Sequence, residues 1–329
     1  MNNRLAKALS YIAFAVIGIG LLVFVFKDVD LAAMWNDIIH ADFRWIGLAL
    51  AFSIVAYVFR AARWNLLIEA TCDHTPKLFN TFWAEMFGYF ANMALPRIGE
   101  ITRCGALARM EKLPFDRLIG TVIVERVIDV ATMLLLAFLT VCIKIDFFGA
   151  FISDKVIAPT VERFASVTLW VILALLFIAT VAMFVILYKT RQKNEISQKA
   201  TSFINGLIDG LKSVYKLEKR GMFLLYTVLL WICYWAMTWA VCFAIPQTSG
   251  LGAIDGLFLL IVGSIGMAVP VQGGIGAFHY IVALALTIYG FNFDTTGLLY
   301  ATISHESQMI VEIVLGVASL FFVFRKPKS

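Results

Sequence analysis

The sequence predicts an all-α polytopic membrane protein built from two inverted-topology repeats, each running span, span, hairpin, span. Three observations carry that expectation. The chain is 61% hydrophobic and 15% charged, with a mean hydropathy of +0.87, which is more apolar surface than a soluble fold of 329 residues can bury. Apolar runs of about 20 residues recur, the length at which a helix rising about 1.5 Å per residue crosses about 30 Å of hydrocarbon. Two stretches that a helix cannot traverse undisturbed, NMALPRIG at 92–99 and GMAVPVQG at 266–273, occupy corresponding places in the two halves.

Full spans are expected near Leu9–Phe26, Trp45–Ala62, Leu118–Ile143, Ser166–Tyr188, Met222–Ile245 and Gly297–Phe324. The first follows Arg4 and Lys7 and lacks a small-residue cleavage site, so it reads as a retained span and not a removed signal peptide. Two hairpins join these spans, at about 78–110 and about 253–291. The first breaks at Pro96 and Gly99, the second at Pro270 and Gly276, because proline lacks an amide donor and glycine favours non-helical angles. In hydrocarbon such breaks are tolerated only where protein or a water-filled cavity surrounds them, so both tips are expected to line a site.

Lysine and arginine set the orientation. With the amino end inside, the cytoplasmic segments carry Arg4, Lys7, Arg60, Arg63, Lys77, the basic residues of 97–117 and of 189–220, and Arg325, Lys326 and Lys328. The outer segments carry Lys27, Arg44, Lys144, Lys155 and Arg163. Both termini are therefore expected in the cytoplasm, in a cell membrane. The two hairpins then open to opposite sides, which gives a first repeat over 1–163 and a second over 164–329, the plan of many secondary transporters. Between them, 189–220 is basic and amphipathic, suited to an anionic membrane surface or to packing on other helices.

Candidate chemistry lies on the polar residues at membrane depth. Glu125, Arg126 and Asp129 share one side of the third full span, roughly 10 to 17 Å from Leu118. Each such charge costs about 2.5 to 3.5 kcal/mol to insert, so they should face the bundle interior, as a transport pathway or as an ion network holding helices together. Arg97 and Arg103 are candidate anion binders, because a guanidinium offers paired donors to phosphate and stays charged. Asn92 and Glu100 lie in the same break, and Glu85 on the first arm is a partner for these arginines. In the second hairpin Gly273, Gly274 and Gly276 permit close backbone approach, for an anion or for a neighbouring helix. The last span carries His305, Glu306, Gln308 and Glu312, suited to relaying protons or pairing with the arginines.

The four histidines, His40, His74, His279 and His305, are scattered without metal-ligand spacing, so no metal site is expected. The cysteines show no CxxC pair and read as packing residues. No GxxxxGK[ST] segment is present, and no cofactor and no nucleic-acid partner are expected.

The block ANMALPRIGEITRCGALAR through VIVERVID, followed by VPVQGGIGAFHY and a carboxylate-bearing last span, resembles the flippase-like membrane domain of lysylphosphatidylglycerol synthases. The resemblance covers essentially the whole chain. It implies movement of an anionic or aminoacylated phospholipid between leaflets, with Asn92, Pro96, Arg97, Gly99, Glu100, Arg103, Glu125, Arg126 and Asp129 on the family's first block and Pro270, Gly273, Gly274 and Gly276 on its second. The chain reaches Ser329 without a soluble transferase segment, so lysyl transfer by this polypeptide is not expected and a separate lipid-modifying enzyme becomes a candidate partner. Two other classes compete with a lipid flippase or scramblase. One is a membrane-embedded transferase with a lipid-linked donor, for which Asp28 and Asp30 would form the acidic loop. The other is a secondary transporter of small organic anions, distinguished by a closed vestibule in place of a laterally open groove.

Overall fold

The computed structural model describes residues 16, 19–144 and 217–325, and among these the chain is helical without a strand. The start of the expected first span, the span expected at 166–188 and nearly all of the basic connection lie outside the described residues. Two compact units are present: residues 1–126 with 216–329, and residues 127–215. Of the second unit, the described part is 127–144, which carries on the helix Phe115–Ile143.

After a helical segment at 19–26, a short helix α1 (Leu31–Ile39) precedes α2 (Phe43–Glu69). Aspartates start both: Asp30 accepts from the amides of Ala32 and Ala33 at 3.0 Å, and Asp42 from that of Arg44 at 3.0 Å. The chain then forms α3 (Leu78–Ala94), α4 (Gly99–Glu111) and α5 (Phe115–Ile143). The described carboxyl-terminal part forms α6 (Arg220–Cys242), α7 (Ala253–Ala268), α8 (Ala277–Thr287) and α9 (Leu298–Phe324), the last entered through a π turn at Phe293–Gly297. The helices α2, α5, α6 and Phe293–Phe324 are long and apolar enough to cross a membrane. This is a membrane protein with several membrane-spanning helices.

Within the first unit α2 lies along α6, and the two run in opposite directions. The Asp42 amide at the start of α2 donates to the Ala244 carbonyl just past the end of α6 at 2.9 Å, while Lys219 before α6 meets Glu69 at the end of α2 at 2.6 Å. One apolar cluster joins α2, α6, α7, α8 and α9 around Ala49, Val241, Leu259, Leu286 and Tyr300. A second joins the far end of α2 to α3, α4 and the start of α5 around Trp64, Ala84, Leu107 and Leu118. The charged site lies beside the second cluster.

The arms α3 and α4 cross at Gly88 and Gly99. A Cβ built on Gly88 would stand 2.8 Å from the Gly99 carbonyl oxygen, so the two backbones touch only because neither position has a side chain.

Candidate functional site

The site starts from an inward-facing row on α2. Tyr57, Arg60, Arg63 and Trp64 recur at helical spacing and are all buried. Opposite them stand Glu85 on α3, Arg103 on α4 and Glu125 on α5, which is 0% exposed. Glu125 binds three guanidinium groups: Arg60 Nη2 at 2.6 Å and Arg63 Nη2 at 3.2 Å on Oε1, and Arg103 Nη2 at 2.9 Å on Oε2. Glu85 takes Arg103 Nη1 at 2.9 Å and stands 3.8 Å from Arg60 Nε. Trp64 places its ring 4.4 Å below the Arg103 guanidinium and donates its indole N–H to Thr121 at 2.8 Å. Removing any of these charges from water is costly, and the cost is met only because each guanidinium finds a carboxylate and each carboxylate is shared.

The network is closed on one side and open on the other. At its edge Glu100 bridges two arginines, taking Arg103 at 2.8 Å on one oxygen and Arg126 at 2.7 Å on the other. Glu100 and Arg126 are 34% and 44% exposed, so this bridge is the half-exposed edge of the otherwise buried network. A small cavity of about 20 Å³ opens there, lined by Arg60, Glu85, Tyr89, Asn92, Arg103 and Arg126 among others. Ile101 on α4 and Ile123 on α5, close in sequence to Glu100 and Arg126, are exposed.

The segment Leu95–Ile98 between α3 and α4 carries the break. Asn92 accepts from the Gly99 amide at 2.7 Å and so holds the first turn of α4. Arg97 has φ 63°, a left-handed conformation unusual for a side-chain-bearing residue, and its exposed guanidinium donates to the Ala268 carbonyl at 2.8 Å. Ala268 is the last residue of α7, so the side chain of one hairpin tip ends the helix that leads into the other. In that second tip Gly273, Gly274 and Gly276 all have positive φ, at 56°, 78° and 78°.

A larger cavity of about 290 Å³ lies on the other side of Arg60. Tyr57, Tyr89, Tyr234, Gln308 and Glu312 form its polar end, and Leu259, Leu260, Met267, Phe278 and Val282 its apolar wall. Tyr57 donates to Glu312 at 3.0 Å, and Arg60 donates to Tyr234 at 3.2 Å. Arg60 thus borders both cavities and joins the polar residues that line them.

The structure brings Glu85, Glu100, Arg103, Glu125 and Arg126 into one network, with Asn92 at its rim. Arg97 lies apart from it, on the second tip. Glu312 faces the larger cavity, while His305 turns to the second tip, its Nε2 2.7 Å from the Gly273 carbonyl, with Glu306 beside it at 3.2 Å. Asp129 belongs to the second unit. Arg60 and Arg63 correct the sequence reading, which ended the span at Ala62 and placed both in a cytoplasmic segment. Helix α2 instead continues to Glu69 and buries both. The signal was available in the spacing of Tyr57, Arg60, Arg63 and Trp64, one stripe that crosses the expected boundary. Asp30 serves as the cap of α1, and Asp28 pairs with Lys27 on the exposed surface at 3.4 Å.

A UPF0104 membrane protein of Methanocaldococcus jannaschii is 30% identical over 100 residues, a stretch that makes up 30% of this chain and 30% of that relative. No solved structure matches the chain. The family model described as the lysylphosphatidylglycerol synthase TM region matches residues 10–316. With that match running through both hairpin tips and the whole arginine network, the chain belongs to the lysylphosphatidylglycerol synthase TM region family.

Proposed function

We infer that this protein moves a phosphate-bearing lipid, anionic or aminoacylated, between the leaflets of the cell membrane, as a flippase or scramblase. The single observation that carries this reading is the half-open end of the arginine network. There Glu100 occupies Arg126 and Arg103 as a phosphate would, and the exposed Ile101 and Ile123 lie close in sequence to Glu100 and Arg126. A lipid phosphate offers the same paired oxygens to the same guanidinium forks. It displaces Glu100 from Arg126, then engages Arg103, while its acyl chains stay in the bilayer against Ile101 and Ile123. The buried carboxylates Glu85 and Glu125 stay paired with the inner arginines throughout.

The movement across the bilayer is assigned to the two broken hairpins. We read 1–163 and 164–329 as inverted repeats, with the breaks at Pro96/Gly99 and Pro270/Gly276 in equivalent places and both termini in the cytoplasm. The antiparallel pairing of α2 with α6, which stand where the second span of each repeat is expected, supports that reading. So does the contact between tips through Arg97 and Ala268. The larger cavity beyond Arg60 supplies a second polar station, with Gln308 and Glu312 as its donor and acceptor. The cap that Asp30 forms on α1 gives that aspartate a structural role, which favours lipid movement over the transferase reading.

The test is translocation of a fluorescent phosphatidylglycerol in reconstituted vesicles. Arg126→Ala is expected to lower the rate at least tenfold, and Arg126→Lys, which keeps the charge but not the fork, to lower it less. Translocation at the unaltered rate in Arg126→Ala would sink the reading. Uptake of a small organic anion in place of lipid would favour the small-solute transporter.

A further inference from the structure

Outside the arginine network a second cluster joins the second hairpin tip to α9. His279 near the start of α8 is 1% exposed, His305 on α9 is 5% exposed, and Glu306 stands between them. One carboxylate oxygen, Glu306 Oε1, lies 3.4 Å from His279 Nε2 and 3.2 Å from His305 Nδ1. One ligand atom from each of the three residues falls within 4.8 Å of the others. The imidazole rings meet edge to face with centroids 5.0 Å apart.

Hydrogen-bond accounting fixes the state of His305. Its Nε2 lies 2.7 Å from the Gly273 carbonyl, an acceptor only, so Nε2 carries the proton. In the neutral ring Nδ1 is then a bare lone pair, and it faces a carboxylate oxygen, which is another. Two acceptors hold this separation only with a proton or a metal cation between them, and the Glu306 side chain, 41% exposed, leaves the position open to an ion from outside. His279 adds a second nitrogen, Nε2, toward the same oxygen, and its Nδ1 is buried without a hydrogen-bond partner among the described residues.

We propose that His279 Nε2, His305 Nδ1 and Glu306 Oε1 form a three-ligand site for a zinc-class divalent transition ion, with a fourth position open. Bonds of about 2.0 to 2.1 Å in a tetrahedron put neighbouring ligand atoms about 3.3 Å apart, and the two nitrogen–oxygen separations of 3.2 and 3.4 Å already match that edge. Two imidazoles and one carboxylate suit zinc and its transition-metal neighbours, whereas magnesium and calcium prefer all-oxygen shells. The Gly273 carbonyl does what the outer partner of a metal-bound histidine does: it fixes the tautomer and aims the ring. The ion therefore ties α8 to α9 and, through His305, holds the glycine-rich tip. The site stands independently of the lipid reading, since none of its ligands belongs to the arginine network.

The experiment uses the full chain purified in detergent, stripped with chelator, equilibrated with micromolar Zn²⁺ and assayed for bound metal by mass spectrometry. About one equivalent is expected, unaffected by a large excess of Mg²⁺. His305→Ala and Glu306→Gln should each weaken retention more than about tenfold, while the surface variant His40→Ala/His74→Ala retains the equivalent. Zn²⁺ should raise the unfolding temperature of the unaltered chain and of the surface variant, and not that of Glu306→Gln. Failure of the unaltered chain to hold zinc would overturn the site in favour of a proton shared between His305 and Glu306. Retention undiminished in both ligand variants, or lost in the surface variant, would overturn it in favour of adventitious surface binding.

Discussion

At the scale of single residues, Glu125 holds the greatest share of the site's electrostatics. It is fully buried and binds Arg60, Arg63 and Arg103, so removing its charge leaves buried guanidinium groups short of a counter-charge. Glu125→Gln should therefore destabilise the protein by about 3 to 5 kcal/mol, the range for breaking one side of a buried ion pair. Arg126→Gln, at a position 44% exposed, should cost less than about 1 kcal/mol while impairing transport. Equilibrium unfolding in mixed detergent micelles checks both. The same scale shows why sequence reading caught some members and missed others. Glu125 and Arg126 stood out because a charge inside an apolar run is costly and therefore conspicuous, and Arg103 because a guanidinium close to a break in a membrane hairpin suits an anion. Arg60 and Arg63 did not, since arginines near the end of an apolar run look like interface anchors until the helix is seen to continue to Glu69.

At the scale of elements, close approach of backbones decides the geometry. The crossing of α3 over α4 admits no side chain at Gly88, where a Cβ would press on the Gly99 carbonyl, whereas Gly105 on α4 has nothing within 4 Å. Gly88→Ala should thus cost about 1 to 3 kcal/mol through overpacking. Gly105→Ala should be neutral or stabilise by up to about 1 kcal/mol through helix propensity. Thermal unfolding of the two variants in one detergent makes the comparison. The apolar run Leu78–Leu95 and the proline after it were legible as a helix and its end. Neither the short helix α1 nor the meeting of the two hairpin tips was legible. The first depends on a local aspartate cap in a segment read as a loop, and the second on Arg97 adopting φ 63° and reaching a carbonyl of a distant element.

For the molecule as a whole, the composition and the recurrence of apolar runs were enough to place the chain in a membrane and to make it all-helical. Hydrocarbon admits only helices and closed barrels, and continuous apolar runs of about 20 residues suit helices and not the short alternating strands of a barrel. Which histidines meet was beyond sequence reading, since His279 and His305 come together only through the packing of α8 on α9. The orientation read from the basic segments has a direct check. Single cysteines introduced at Asp42 and Ser249 should react with an impermeant thiol reagent from outside the cell, and those at Lys112 and Lys219 only from within. The opposite pattern would invert the molecule in the membrane. The contacts Asp42 to Ala244 and Lys219 to Glu69 require the first and last of these four positions to lie at opposite ends of the α2–α6 pair.

The bridge that Glu100 makes between Arg103 and Arg126 also bears on what the membrane loses while cargo moves. A guanidinium that always has a carboxylate or a phosphate on it works as an ion exchanger: one anion leaves as the next arrives, and no bare charge stands open to draw a column of water and salt through the bilayer. On the proposed reading, a protein built this way would pass a lipid head group and still insulate, so lipid would change leaflets without discharging the gradients that the same membrane stores.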